Sequence, residues 1–209
     1  MNMRTSSLVI AAVLLCGILY VAPALAAQPD ADNDGVPDAS EPLLQTDPMN
    51  RDTDGDGLDD LKDNKPVFAE NPIDLGGAEP PFAIKELLVE NNYDYDARKD
   101  ATDHLELEVA NNSSQPLNGF SIYYTITDPE GGKSEAYFKK LDGFTLPANS
   151  TARIHIDTSG LPGHYRSNPN SIYETSPAAK QFQVELKAEG YRPVSGSIKK
   201  DAGGAETAD

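Results

Sequence analysis

Period-two alternation marks the second half of this chain. Leu105, Leu107 and Val109 are separated by Glu106 and Glu108, and Phe182, Val184 and Leu186 by Gln183, Glu185 and Lys187. Successive side chains of a strand point to opposite faces, so each segment predicts an apolar face toward a core and a polar face toward water. Segments 82–89, 120–127, 134–140 and 152–157, alternating or rich in β-branched and aromatic residues, complete a set of six clear strands. Weaker ones fall at 141–146 and 194–198. The breaks are rich in Asn, Pro, Gly and Ser, and no long helical period intervenes. The prediction for 82–200 is a mainly β domain, most economically an immunoglobulin-like β-sandwich, with a barrel or jelly roll as the other all-β solutions. Adjacent Tyr123 and Tyr124 must face opposite ways, which assigns one of them to the core.

The first half is patterned differently. Residues 8–21 (LVIAAVLLCGILYV) form a 14-residue apolar run after Arg4, followed by Pro23 and the small-residue sequence Ala24-Leu25-Ala26. That layout predicts a cleaved export signal over 1–26, too short for a spanning helix. Leu15 stands before Cys16 where a lipoprotein signal carries a small residue, so no lipid attachment is expected, and cleavage removes the only cysteine. No disulfide or thiol chemistry then remains. Residues 27–64 carry few large apolar side chains and cannot bury a useful core alone. Residues 65–81, with Pro66, Pro72, Gly76, Gly77, Pro80 and Pro81, have linker composition, and the tail at 201–209 reads as disordered.

Charge sharpens this division. The chain carries a formal net charge of −17, and losing Arg4 with the signal makes it −18. Twelve acidic residues lie between positions 30 and 63, opposed only by Arg51 and Lys62. Such a field disfavours nucleic acid and anionic lipid, and without cations the segment repels itself.

The acids are in register. In DADNDGVPDASE, Asp30, Asp32 and Asp34 occupy positions 1, 3 and 5, and Gly35 permits the turn. Val36 offers a backbone carbonyl, Asp38 a direct or water-mediated oxygen, and Glu41 two oxygens. In DTDGDGLDDLKD the same grammar recurs with Asp52, Asp54, Asp56, Gly57, the Leu58 carbonyl, Asp60 and Asp63. Convergent oxygens at about 2.3–2.6 Å are what a calcium ion requires. Magnesium wants a compact octahedron, and zinc or copper want His or Cys, absent from the segment. Asp63 reaches less far than a glutamate, so the second loop is expected to bind more weakly or to borrow from Asp47, Asn50 or Asp59. An EF-hand is a poor fit: Pro29 leaves no entering helix and Pro42 obstructs a regular exiting one. Only a short helical turn fits between Leu58 and Pro66.

DADNDGVPDASE followed by TDPMNRDTDGDGLDD resembles the thrombospondin type 3 repeat. The resemblance implies a nearly structureless chain wrapped around calcium, held by Asp30, Asp32, Asp34 and Asp38 and then by Asp52, Asp54, Asp56 and Asp60. It implies Asp47 and Asn50 as bridging or supplementary ligands. HLELEVANNSSQPLNGFSIYY loosely resembles bacterial immunoglobulin-like modules and, more faintly, the lamin tail domain, where it would be structural.

Elsewhere the polar inventory is sparse. YDYDARKDATD holds Asp94, Asp96, Asp100 and Asp103, but lacks a turn glycine and is interrupted by Arg98 and Lys99, the pattern of an ordinary charged loop. His104, His155 and His164 are the only histidines, and no ligand-spaced pair among them predicts zinc binding or base catalysis. His155 alternates with Arg153 and Asp157 on the polar side of its strand. No nucleophile elbow or phosphate loop is present. The expectation is an exported, non-enzymatic calcium-binding protein, secreted, periplasmic or at the cell surface, with a structural or interaction role. Its partners would be calcium ions and a protein or cell-surface glycan, with no nucleic acid and no transmembrane segment after cleavage. The tyrosines keep a carbohydrate-binding module as the main alternative, and a small secreted hydrolase is a third.

Overall fold

The computed structural model describes residues 28–89, 93–94, 98–100 and 104–203. The predicted export signal, most of the 94–103 loop and residues 204–209 lie outside them. Among the described residues no helix is long and apolar enough to cross a membrane.

The protein is mainly β, with two four-stranded sheets. One has the order β1-β4-β7-β8, from β1 (Phe82–Leu88), β4 (Leu105–Asn111), β7 (Thr151–Asp157) and β8 (His164–Arg166). The other has the order β10-β9-β5-β6, from β5 (Ser121–Thr127), β6 (Ser134–Lys140), β9 (Lys180–Lys187) and β10 (Val194–Lys200). All pairings within them are antiparallel except β7 with β8. A separate two-residue ladder joins β2 (Tyr93–Asp94) and β3 (Lys99–Asp100).

The alternating residues fill the space between the sheets. Leu105, Leu107 and Val109 of β4 and Ile154 and Ile156 of β7 share one buried cluster with Ile122, Tyr124 and Ile126 of β5 and Phe182, Val184 and Leu186 of β9. Tyr124 is the inward member of its pair and stacks on buried Tyr137, with centroids 5.2 Å apart. Tyr123 points outward and its hydroxyl donates to the Ala69 carbonyl at 3.2 Å. Tyr165, Tyr173 and Tyr191 pack against the same core. Residues 141–146, expected as a weak strand, form a turn closed by a bridge between Leu117 and Leu146, and β8 is too short for its sequence to show alternation.

Glu106 is a correction to the alternation. It faces away from the core as expected but is only 1% exposed, because the side chains across the sheet cover it. Period two fixes the face, not what lies over it.

The segment of linker composition is bonded to the second sheet. Ala69 N–H donates to the Ala136 carbonyl and Ala136 N–H to that of Val67, each at 3.0 Å, alongside β6. Ala78 N–H donates to Gly190, and Lys187 Nζ meets Asp74 Oδ2 at 2.7 Å. Ala69 and Ile73 are buried in the process.

Candidate metal centre

The acidic segment folds as two tight loops around short helical turns. In the first, Asn33 and Gly35 take positive φ values of 63° and 101°, folding the chain back on itself. One oxygen of each aspartate then meets a backbone N–H. Asp30 Oδ2 accepts from Gly35 at 3.2 Å, Asp32 Oδ1 from Asp34 at 3.2 Å, Asp34 Oδ1 from Val36 at 2.6 Å and Asp38 Oδ1 from Ala31 at 2.8 Å. The other oxygens of the first three, Asp30 Oδ1, Asp32 Oδ2 and Asp34 Oδ2, are buried without a hydrogen-bond partner. The Asp30, Asp32 and Asp34 carboxylates offer oxygens all within 4.8 Å of one another.

Glu41 completes the loop at the start of α1 (Glu41–Leu44), a single turn that tolerates Pro42 because its missing N–H would be unsatisfied there anyway. Glu41 is 0% exposed, and neither of its carboxylate oxygens has a hydrogen-bond partner. Burial, reinforced by Asp32, Asp34, Asp38 and Asp60, pushes its pKa up to about 7. Burial likewise raises that of Asp32.

The second loop is built on the same plan with fewer free oxygens. Asp52 spends both, accepting from Gly55 and Gly57 at 2.9 Å each. Asp54 Oδ1 accepts from Asp56 at 3.0 Å and Asp56 Oδ1 from Leu58 at 2.8 Å, leaving Asp54 Oδ2 buried and unpartnered. The Asp52, Asp54 and Asp56 oxygens also lie within 4.8 Å of one another. Burial pushes Asp54 up to about 7 and raises Asp52.

The remaining sequence-selected residues take varied positions. Asp60 opens a 3-10 turn (Asp60–Lys62) and accepts from Thr53 N–H at 2.8 Å and Thr53 Oγ1 at 2.6 Å. Burial lifts its pKa to about 6, and the charges of Asp34 and Asp52 add to the rise. Asp63 Oδ1 accepts from Lys65 N–H, and Asn50 Nδ2 donates to the Asp52 carbonyl at 2.7 Å. Asp59 is held by Arg51 and Lys62, which lower its pKa. Val36 is buried and Leu58 half-exposed. Asp47 is turned toward the sandwich, where the Arg166 guanidinium takes both its oxygens.

The second loop and the segment joining the two loops are docked on the sandwich. Phe138 N–H of β6 donates to the Asp54 carbonyl at 2.7 Å. A Cβ at Gly55 would come within 2.0 Å of the Phe138 carbonyl oxygen, so only glycine allows that approach. Asn168 Nδ2 donates to the Gln45 carbonyl and Asn170 Nδ2 to that of Thr46, each at 2.6 Å.

A second polar cluster lies on the outer face of the first sheet. Register places Glu106 opposite His155 and His155 opposite His164. His104 Nε2 lies 2.9 Å from His155 Nδ1, the His155 and His164 rings stack at 4.2 Å, and His164 Nδ1 lies 2.6 Å from Asp157 Oδ2. Burial depresses the His155 pKa. The spacing of these histidines along the chain carried no signal of this convergence; only the β4–β7–β8 register reveals it.

No protein-family model and no curated protein matches this sequence. Among solved structures it is similar to a β-glucuronidase of Bacteroides uniformis, at 13% identity and a TM-score of 0.31, over 58% of this chain and 12% of that one. An alkylpurine DNA glycosylase of Pseudomonas fluorescens bound to DNA matches at 17% identity and a TM-score of 0.29, over 59% of this chain and 31% of that one. The chain thus spans a small part of either protein.

Proposed function

We propose that this chain is an exported, non-enzymatic calcium-binding protein, in which two thrombospondin type 3-like loops order the N-terminal segment against an immunoglobulin-like β-sandwich. The observation that carries this reading is the Glu41 carboxylate, fully buried with neither oxygen bonded, in the loop that also buries free oxygens of Asp30, Asp32 and Asp34. An uncompensated buried charge costs several kcal/mol on the order of magnitude. A hard cation removes that cost.

The donor set is all oxygen and rich in flexible carboxylates, which suits calcium better than magnesium. Asp30, Asp32, Asp34, Asp38, Glu41 and the Val36 carbonyl would hold the first ion. Asp52, Asp54, Asp56, Asp60, Asp63 and the Leu58 carbonyl would serve the second, with Asn50 steadying the link. The bound ion supplies charge neutralisation and cross-linking. The strand orders β1-β4-β7 and β10-β9-β5-β6 support the immunoglobulin-like reading, corresponding to A-B-E against G-F-C-C′. The pattern of residues 1–26 supports export to the periplasm, the medium or the cell surface, where a protein or glycan partner would be met.

The test is calorimetry on metal-free protein. Calcium should bind in the range of about 10⁻⁴ to 10⁻³ M, unaffected by equal magnesium, and Glu41→Gln or Asp32→Asn should weaken it about tenfold or more. Absence of calcium binding, or equal binding by both variants, overturns the reading.

A further inference from the structure

We infer that the outer face of the first sheet carries a second, chemically distinct metal site, for a divalent transition metal such as zinc, built by His104, His155, Glu106 and Asp157. Two paired strands bring these groups together. His104 immediately precedes β4, Glu106 lies on β4, and His155 and Asp157 lie on β7 directly alongside.

Three of the four groups sit at the spacing of a tetrahedral centre. Zinc bonds of about 2.0–2.1 Å hold adjacent ligand atoms about 3.3 Å apart. Here His104 Nε2 and His155 Nδ1 are 2.9 Å apart, and Glu106 Oε2 is 3.3 Å from His155 Nδ1 and 3.8 Å from His104 Nε2. Asp157 Oδ2 lies 4.0 Å from His104 Nε2. The His104, His155 and Glu106 separations bracket the tetrahedral edge, and Asp157, whose Oδ2 lies 2.6 Å from His164 Nδ1, turns inward to complete the set.

Glu106 supplies the independent sign of a ligand. Its Oε1 is bound by the Arg153 guanidinium, which also holds Glu108 Oε2 at 2.9 Å and Glu86 Oε2 at 3.4 Å. Its Oε2 is buried, has no hydrogen-bond partner and faces the two imidazole nitrogens. A structural carboxylate at 1% exposure would normally satisfy both oxygens. His164, stacked on His155 and 2.6 Å from Asp157 Oδ2, is a positioning residue that fixes the ring and the carboxylate from behind, as partners of metal ligands do. Nitrogen donors separate this site from the acidic loops: imidazole suits zinc, copper or nickel, and not calcium or magnesium. With His104 and Glu106 buried, the site is closed, and its role is to staple β4 to β7.

The experiment is a zinc titration of the chain with calcium in large excess, which keeps zinc off the acidic loops. One zinc per chain is expected, and cobalt in its place should give the visible absorption of a tetrahedral ion. His155→Ala and His104→Asn should abolish zinc binding, and His164→Ala should weaken it about tenfold to a hundredfold. Zinc should raise the melting temperature of the parent and not of His155→Ala. Should both ligand variants fail to fold, nitrogen NMR of the parent decides: zinc must shift the ring signals of His104 and His155. No zinc binding, binding equal in the folded variants, or unmoved ring signals overturns the site, and none of these outcomes bears on calcium.

Discussion

Asp47 and Arg166, 119 residues apart, form a two-point ion pair, with Arg166 Nε 2.5 Å from Asp47 Oδ2 and Nη2 2.6 Å from Oδ1. Asp47 is 1% exposed while the arginine side chain is 37% exposed, so the carboxylate is the member that burial penalises. The pair fastens the bridge between the two acidic loops to the end of β8.

Removing the arginine therefore costs more than removing both partners. Arg166→Met should destabilise by about 2 kcal/mol, below the range for fully buried pairs because the guanidinium is partly solvated. Asp47→Asn/Arg166→Met should recover part of that loss. Urea unfolding of the single and double variants in saturating calcium measures the coupling.

Calcium should stabilise the protein more at high pH than at low pH. In the metal-free fold Glu41 and Asp54 titrate at about 7, against ordinary values of 4.5 and 3.8. A raised carboxyl pKa gives stability that is present below the unfolded value and is lost as pH rises through the folded one. The metal-free chain thus loses stability from these groups between about pH 4 and 7, and calcium removes the loss by taking the place of the protons. The difference in melting temperature with and without calcium, followed from pH 5 to 8, should widen.

Two glycines of the second loop should respond differently to alanine. Gly55 and Gly57 have φ values of 83° and 99°, but only Gly55 faces a backbone atom, the Phe138 carbonyl oxygen, with nothing within 4 Å of a Cβ at Gly57. Gly57→Ala should cost about 1 kcal/mol from strain alone. Gly55→Ala should cost clearly more and should detach the loop from β6, seen as faster hydrogen exchange at Phe138 N–H.

Glu135 supplies a pH effect that calcium leaves alone. Its carboxylate accepts from Tyr137 Oη at 2.8 Å and from Ile172 N–H at 2.9 Å, and burial pushes its pKa up to about 7 from 4.5. The stability it gives is present below about pH 4.5 and lost by about pH 7. Glu135→Gln removes the charge and keeps one acceptor while its amide N–H2 replaces the other, so it should flatten this part of the profile, read by chemical denaturation at each pH.

What could be read from the sequence was local. Leu105, Leu107 and Val109 announce their strand because alternation needs only neighbours, and Asp30 to Asp34 announce their loop for the same reason. β8 contributes three residues, too few for a period to register. Glu106 looked solvated because its cover, Arg153 and His155, comes from a strand 47 residues away. The fate of Asp47 depends on Arg166, and the meeting of three histidines depends on two strand pairings. Each is a product of register between distant segments, which one-dimensional spacing does not encode.

The bonding of residues 54 and 67–69 along β6 has a consequence for how the protein behaves in company. β6 is the outermost strand of its sheet, and an outermost strand with bare N–H and C=O groups is a template on which another chain can add. Here the chain's own N-terminal segment occupies that template. Under the proposed function, the ions that order the acidic loops also guard against polymerisation. Withdrawing calcium would then first appear as self-association through β6, before the sandwich itself comes apart.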